Sequence, residues 1–219
     1  MNLLSQSVLF AAMMVIGATH AFAAQGGVTR QVAAFEAIDV SGATDLMVTI
    51  AKTQSVRLIA PQAELADIIT EVKDKTLHIH RDKQEKSFRL EDLFNWRDKT
   101  FRCEVTVPAL RSLDASGASK VDVRGLQGVQ FALDISGAST ASLQGTVQRF
   151  VLDVSGASSI DAEKLVATHA ELDLSGATKV VVNASKTLKV DASGASRVRY
   201  IGNPMLEKDL SGACSVSAK

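Results

Sequence analysis

The residues of this chain best equipped for chemistry recur together. Asp114, Asp134, Asp153, Asp173, Asp191 and Asp209 each open a copy of D-x-S-G-A-[STC], and a seventh copy opens at Asp39. A row of carboxylates beside hydroxyls could bind Ca²⁺, which takes several oxygen ligands. Asp134, Asp153 and Asp173 are the candidates for such a site. The hydroxyl column two residues after each glycine (Ser119, Ser139, Ser158, Thr178, Ser196, with Cys214 last) could in principle supply a nucleophile. A nucleophile needs a base, however, and no His or Lys recurs with it. The third reading is structural: each Asp closes a turn with the serine hydroxyl or backbone N–H groups after it, and the glycine supplies a positive φ or room for a neighbour. The pairs Asp114/Gly117, Asp134/Gly137, Asp153/Gly156, Asp173/Gly176, Asp191/Gly194 and Asp209/Gly212 are read as that turn. The calcium-binding nonapeptide GGxGxDxUx is a different pattern, so the turn reading is preferred and no metal is assigned.

Two further groups stand outside the repeat. His78-x-His80 places two imidazoles on one face of a strand, as some zinc sites do, with His169 or a distant acid needed as third ligand. Outward polar residues alternating with Leu77 and Ile79 explain the pair equally well. Phe88, Phe94, Trp96 and Phe101 concentrate aromatic residues in a charged insertion. They read either as an interaction surface or as a lid over the open N-terminal end of a stack, and the lid is preferred.

The elements that carry these residues follow from the spacing. The last six copies are separated by 20, 19, 20, 18 and 18 residues, and the first stands 75 residues ahead of the second. Apolar residues fall four and two before each glycine (Leu133 and Ile135) and four and six after it (Ala141 and Leu143). Lys208 breaks the first of these columns. Alternation with period two on both sides of a tight corner is strand, turn, strand. A repeat of this length is too short for a propeller blade and lacks a helical segment. It predicts an all-β, single-domain parallel β-helix with coils of 18–20 residues, regular over 113–219 and irregular over 28–112. The missing six-residue aliphatic repeat favours right-handed winding. AELADIITEV (63–72) reads as a short helix or a strand.

The opening 23 residues carry no Lys, Arg, Asp or Glu and end Ala21-Phe22-Ala23, the pattern of a secretory signal cleaved before Ala24. The mature protein is then 24–219, exported to the periplasm or beyond and at most peripheral to a membrane. Lys plus Arg and Asp plus Glu balance at 24 each, which removes a general electrostatic reason to bind nucleic acid. In an exported chain Cys103 and Cys214 raise the question of a disulfide. The register sets Cys103 one strand before the first regular coil and Cys214 in the last. Five rungs of about 4.8 Å then separate them, far beyond bonding reach. The final coil has little chain after it, and its edge invites weak association with another copy.

With these motifs in place the chain resembles an exported bacterial family described as "putative auto-transporter adhesin, head GIN domain". The resemblance rests on FEAIDVSGATDLMVTI (35–50), TLHIH (76–80), VTVPALRSLDASGAS (105–119), the SGAS copies and RVRYIGNP (197–204). It implies a right-handed parallel β-helix at the cell envelope and little chemistry, and no cofactor is assigned. The expected function is a non-enzymatic adhesin or assembly surface, with glycans or envelope proteins as partners. The alternative is a polysaccharide-binding or polysaccharide-degrading β-helix.

Overall fold

A computed structural model describes residues 26–82 and 100–219. The leader over 1–23 and the aromatic residues Phe88, Phe94 and Trp96 lie outside the described residues. The chain forms a single β-solenoid of about five turns. Its regular part comprises β8 (Ser112–Gly117), β9 (Lys120–Gly137), β10 (Thr140–Gly156), β11 (Ser159–Gly176) and β12 (Lys179–Gly194). The final rung is split among β13 (Arg197–Ile201), β14 (Met205–Leu210) and β15 (Ser215–Ala218). Successive coils pair in parallel with like residues aligned, as in Leu133↔Leu152↔Leu172↔Val190.

Alternation decides which side chains turn inward. In β9 the residues Val121, Val123, Phe131, Leu133 and Ile135 are buried, while Lys120, Arg124 and Asp134 are exposed. Each buried aliphatic side chain contributes about 1.5–3 kcal/mol, so a coil gains most of its stability when the next one covers it. The interior is filled: Phe131 and Phe150 stack on adjacent rungs with centroids 6.2 Å apart and rings within 5° of parallel.

The N-terminal third differs from the expected run of irregular coils. The strands β2 (Ala37–Gly42) and β3 (Thr44–Ile50) flank the first SGA corner. They lie directly beneath β8 and β9. On their other side are β6 (Thr76–Arg81) and β7 (Phe101–Val107). The first rung in sequence is therefore second in space, inserted between two rungs that the chain makes later. The end is closed by antiparallel strands. β5 (Ile68–Lys73) pairs β6, β4 (Ser55–Ala60) pairs β7, and β1 (Gly26–Arg30) pairs β4. AELADIITEV becomes a 3₁₀ turn at Leu65–Asp67 followed by β5, so it contributes both elements. Arg30 locks this cap by donating from Nη2 to Leu65 O at 2.6 Å.

The topology also corrects the placement of Cys103. It sits in β7, and β3 intervenes between β7 and the first regular coil. Cys103 is fully buried beside Leu46 and Leu58, and burial pushes its thiol up to about 12. Phe101, the one described member of the aromatic group, is a core residue at the start of the same strand. Cys103 and Cys214 are both free thiols.

Candidate functional site

The SGA corner is built from glycine and hydroxyl columns. Gly137 has φ +104°, and a methyl group added to Gly117 on the rung below would lie 2.8 Å from Gly42 O. The corners are in van der Waals contact through their backbones, which leaves no room for a side chain. The same oxygens accept hydrogen bonds from the rung above, such as Ala138 N–H to Gly117 O at 2.9 Å.

The last corner departs from the set. Gly117, Gly137, Gly156, Gly176 and Gly194 each end a strand, whereas Gly212 lies between β14 and β15 and belongs to neither. Its backbone still follows the column: φ is +81°, and an added methyl group would lie 2.5 Å from Gly194 O. Ala213 N–H donates to that same oxygen at 2.7 Å. Among the described residues no strand pairs with this turn from above, and it keeps its geometry from the rung beneath.

The buried hydroxyls run beside this column. Ser139 Oγ donates to Gly117 O at 3.3 Å and accepts from Ser119 N–H at 3.1 Å. Ser158 repeats both contacts one rung up, at 3.2 Å each, with Gly137 O and Ser139 N–H. Ser119 donates to Gly42 O and Ser196 to Gly176 O. Thr178 instead donates to Ser196 Oγ at 2.9 Å. A serine that satisfies the backbone of the rung beneath is committed to the fold. Thr44 ends the column with a buried hydroxyl that has no partner among the described residues. Cys214 ends it at the other side and donates to Ser211 O.

The aspartates point the other way. Asp39, Asp114, Asp134, Asp153, Asp173, Asp191 and Asp209 stand in register on adjacent strands and form an outward ladder. Among the described residues, no serine hydroxyl or backbone N–H bonds the carboxylates of Asp114, Asp134, Asp153, Asp173, Asp191 or Asp209. This corrects the expected Asx-type tie at every corner from Gly117 to Gly212. The corner is held from below, so the carboxylates remain in solvent, where water and salt screen their repulsion. Partial desolvation, then the charges of Asp134 and Asp39, raises the Asp114 carboxyl. Desolvation and neighbouring aspartates raise Asp153 and Asp173 in the same way, with Lys189 opposing the shift at Asp173.

His78 extends this ladder. It occupies the Asp position one rung below Asp39, and its Nδ1 lies 3.0 Å from Asp39 Oδ2. Leu77 and Ile79 are buried on either side of it, so His78 and His80 are the outward members of β6. His169 lies five strand-to-strand steps away on β11, roughly 24 Å, and cannot join them. Among the described residues no group of three or more His, Cys, Asp or Glu could hold a metal ion.

A groove of about 260 Å³ lies on the same outer face as the ladder. One wall is the column Arg149, His169, Thr187 and Met205. The other is Glu171, Lys189 and Glu207, two residues before the aspartates of their strands. Glu171 is held between Lys189 Nζ at 3.4 Å and Arg149 Nη1 at 3.9 Å. His169 Nδ1 is 2.7 Å from Thr187 Oγ1. The sequence reading missed this site because its members lie on different coils and share no motif. The visible signal was their constant offset from each Asp.

Among the described residues no helix is long and apolar enough to cross a membrane. A comparison with curated proteins found no match in sequence. Solved structures share the fold at low identity. A putative adhesin from Parabacteroides distasonis aligns with TM-score 0.59 and 16% identity, covering 89% of this chain and 97% of that one. A putative adhesin from Bacteroides fragilis gives 0.56 and 22%, covering 90% and 98%. A putative lipid binding protein from Parabacteroides distasonis gives 0.52 and 16%, covering 89% and 96%. Residues 34–204 match the family model described as "Putative auto-transporter adhesin, head GIN domain", and the chain belongs to that family.

Proposed function

We propose that the protein is exported, is not an enzyme, and serves at the cell envelope as a surface for adhesion or assembly. The carrying observation is the repetition of its outward chemistry: like residues line up from Asp39 to Asp209 instead of converging. Acid–base or nucleophilic catalysis needs unlike groups gathered at one place. A stack of outward columns instead offers a flat polar face that a large partner can cover. The family description agrees with this role, and the uncharged opening stretch ending Ala21-Phe22-Ala23 supplies a route out of the cell.

The second reading, a polysaccharide-binding or polysaccharide-degrading protein, draws support from the mixed-charge groove. Lipid binding, the description of one solved neighbour, fits this chain less well, because aliphatic side chains from Ile38 to Val198 fill the interior. The test is to express the full chain in a bacterial host and weigh the product in each cell fraction. A periplasmic or secreted species beginning at Ala24, which makes coated beads adhere to bacterial cells, is the expected result. Retention in the cytosol with the leader intact would overturn export. Release of unsaturated or reducing ends from a uronic-acid polymer would overturn the non-enzymatic reading.

A further inference from the structure

The geometry points to a ligand class for the groove: a neutral, extended polysaccharide lying across the rungs. This rests on the surface-binding reading above and names what that surface takes. The groove runs across β10, β11, β12 and β14, three rung spacings or roughly 14 Å, and is open to solvent along its length. An open trough fits a chain laid along it better than a small molecule enclosed on all sides.

The charge pattern selects among polymers. Arg149 and Lys189 supply two cations and Glu171 and Glu207 two carboxylates, so the lining is balanced. Glu171 already engages both cations, and an anionic chain would have to displace it. Such a chain would also run beside Asp173, Asp191 and Asp209, two residues further along the same strands. Uronate and phosphate polymers are therefore disfavoured. A cationic chain is drawn to the aspartate ladder, but in the groove it meets Arg149 and Lys189.

A sugar hydroxyl both donates and accepts, so it can use the carboxylates and the cations of one lining at once. His169 is fixed through Nδ1 by Thr187, which sets its ring orientation and leaves Nε2 without a protein partner among the described residues. Met205, 78% exposed at the end of the groove, offers an apolar contact for the C–H face of a sugar ring.

The test titrates the mature protein with three kinds of hexasaccharide. Cellohexaose, xylohexaose and mannohexaose are neutral, hexagalacturonate is anionic and a chitosan hexamer is cationic. At least one neutral hexamer is expected to bind more tightly than both charged ones. Glu171→Ala and His169→Ala should each weaken it about tenfold or more, while Asp122→Asn, past the next corner, leaves it unchanged. These side chains are outward, so unchanged circular dichroism separates lost contacts from lost fold. The inference is overturned if a charged hexamer binds best, if no neutral hexamer binds at millimolar concentration, or if the groove variants bind normally. Bead adhesion that persists without hexasaccharide binding would leave the surface role standing and remove only the polysaccharide assignment.

Discussion

Asp39 and Asp114, 75 residues apart in sequence, sit opposite one another on adjacent parallel strands. Every residue of the hexapeptide Ala37–Gly42 has its counterpart in Ser112–Gly117. The first SGA copy is thus the rung beneath the regular array, and the acidic ladder continues through it to His78.

The ladder makes stability depend on pH in an unusual direction. Asp114, Asp153 and Asp173 have raised carboxyl pKa values in the folded state. The folded protein therefore binds these protons more readily than the unfolded chain. Their contribution is favourable when protonated, below the ordinary carboxylate range, and is lost as pH rises through the raised values. Asp153→Asn should raise the urea midpoint at pH 7 by relieving carboxylate desolvation and then the repulsion of Asp134, the latter worth ~0.9 kcal/mol at one rung spacing in bulk water. The advantage over the parent should shrink toward zero near pH 3, and its repulsive part in high salt. Equal midpoints at pH 7 and low salt would refute the cause.

Ser139 tests the buried hydroxyl column. Ser139→Ala removes a donor to Gly117 O and strips Ser119 N–H of its acceptor. Ser119 N–H is buried, whereas Gly117 O is only partly so and keeps the Ala138 N–H; the expected loss is about 1–3 kcal/mol by chemical denaturation, set mainly by Ser119 N–H. Ser139→Thr keeps a hydroxyl in the column, where Thr178 still finds Ser196 Oγ as its acceptor, and should cost less than half as much. An Ala variant as stable as the Thr variant would show that packing, not hydrogen bonding, holds the column.

Gly137→Ala should be the more damaging corner change. Its φ of +104° is unfavourable for alanine, and the new methyl group would press on the Gly117 carbonyl. A loss of about 2–4 kcal/mol is expected, with early proteolysis near the corner. Gly42→Ala is the control: it has a similar φ of +102° but nothing within 4 Å of the added carbon. The difference between the two measures the backbone contact alone.

Lys208 bears on self-association. It occupies the position of buried Val190 on the next rung, and among the described residues β14 is paired on one side only, with β12. A lysine at an inward position on an edge strand opposes pairing with another copy. Lys208→Leu should therefore shift light scattering toward dimers or larger species at concentrations where the parent is less associated. No difference between the two would remove Lys208 as the guard of that edge.

The regular coils were legible in the sequence because each one repeats its own constraints: aliphatic pairs flanking a corner that only glycine fits. The position of Asp39 was not, because its neighbours are set by pairing between distant segments. Gly212 carries the same motif as Gly194, yet its flanking strands β14 and β15 stop on either side of it. His78 held a readable clue. Leu77-His78-Ile79 parallels Leu133-Asp134-Ile135, with an imidazole in the carboxylate's place, yet His-x-His suggested a metal. The Asp-to-serine tie failed for a different reason. Local sequence suggests local hydrogen bonds, whereas these hydroxyls bond to the coil beneath. The groove is a property of columns, and columns become visible only when coils are aligned.

The inserted rung also dictates an order of events as the chain emerges. The strands β2 and β3 come early, but their partners β6, β7, β8 and β9 all come later. A chain delivered N-terminus first therefore cannot cover both sides of its first rung until about residue 124 has arrived. Every later coil has a finished template waiting and can add singly. By contact order, completing that first rung is expected to be the slow step and adding later coils the fast one.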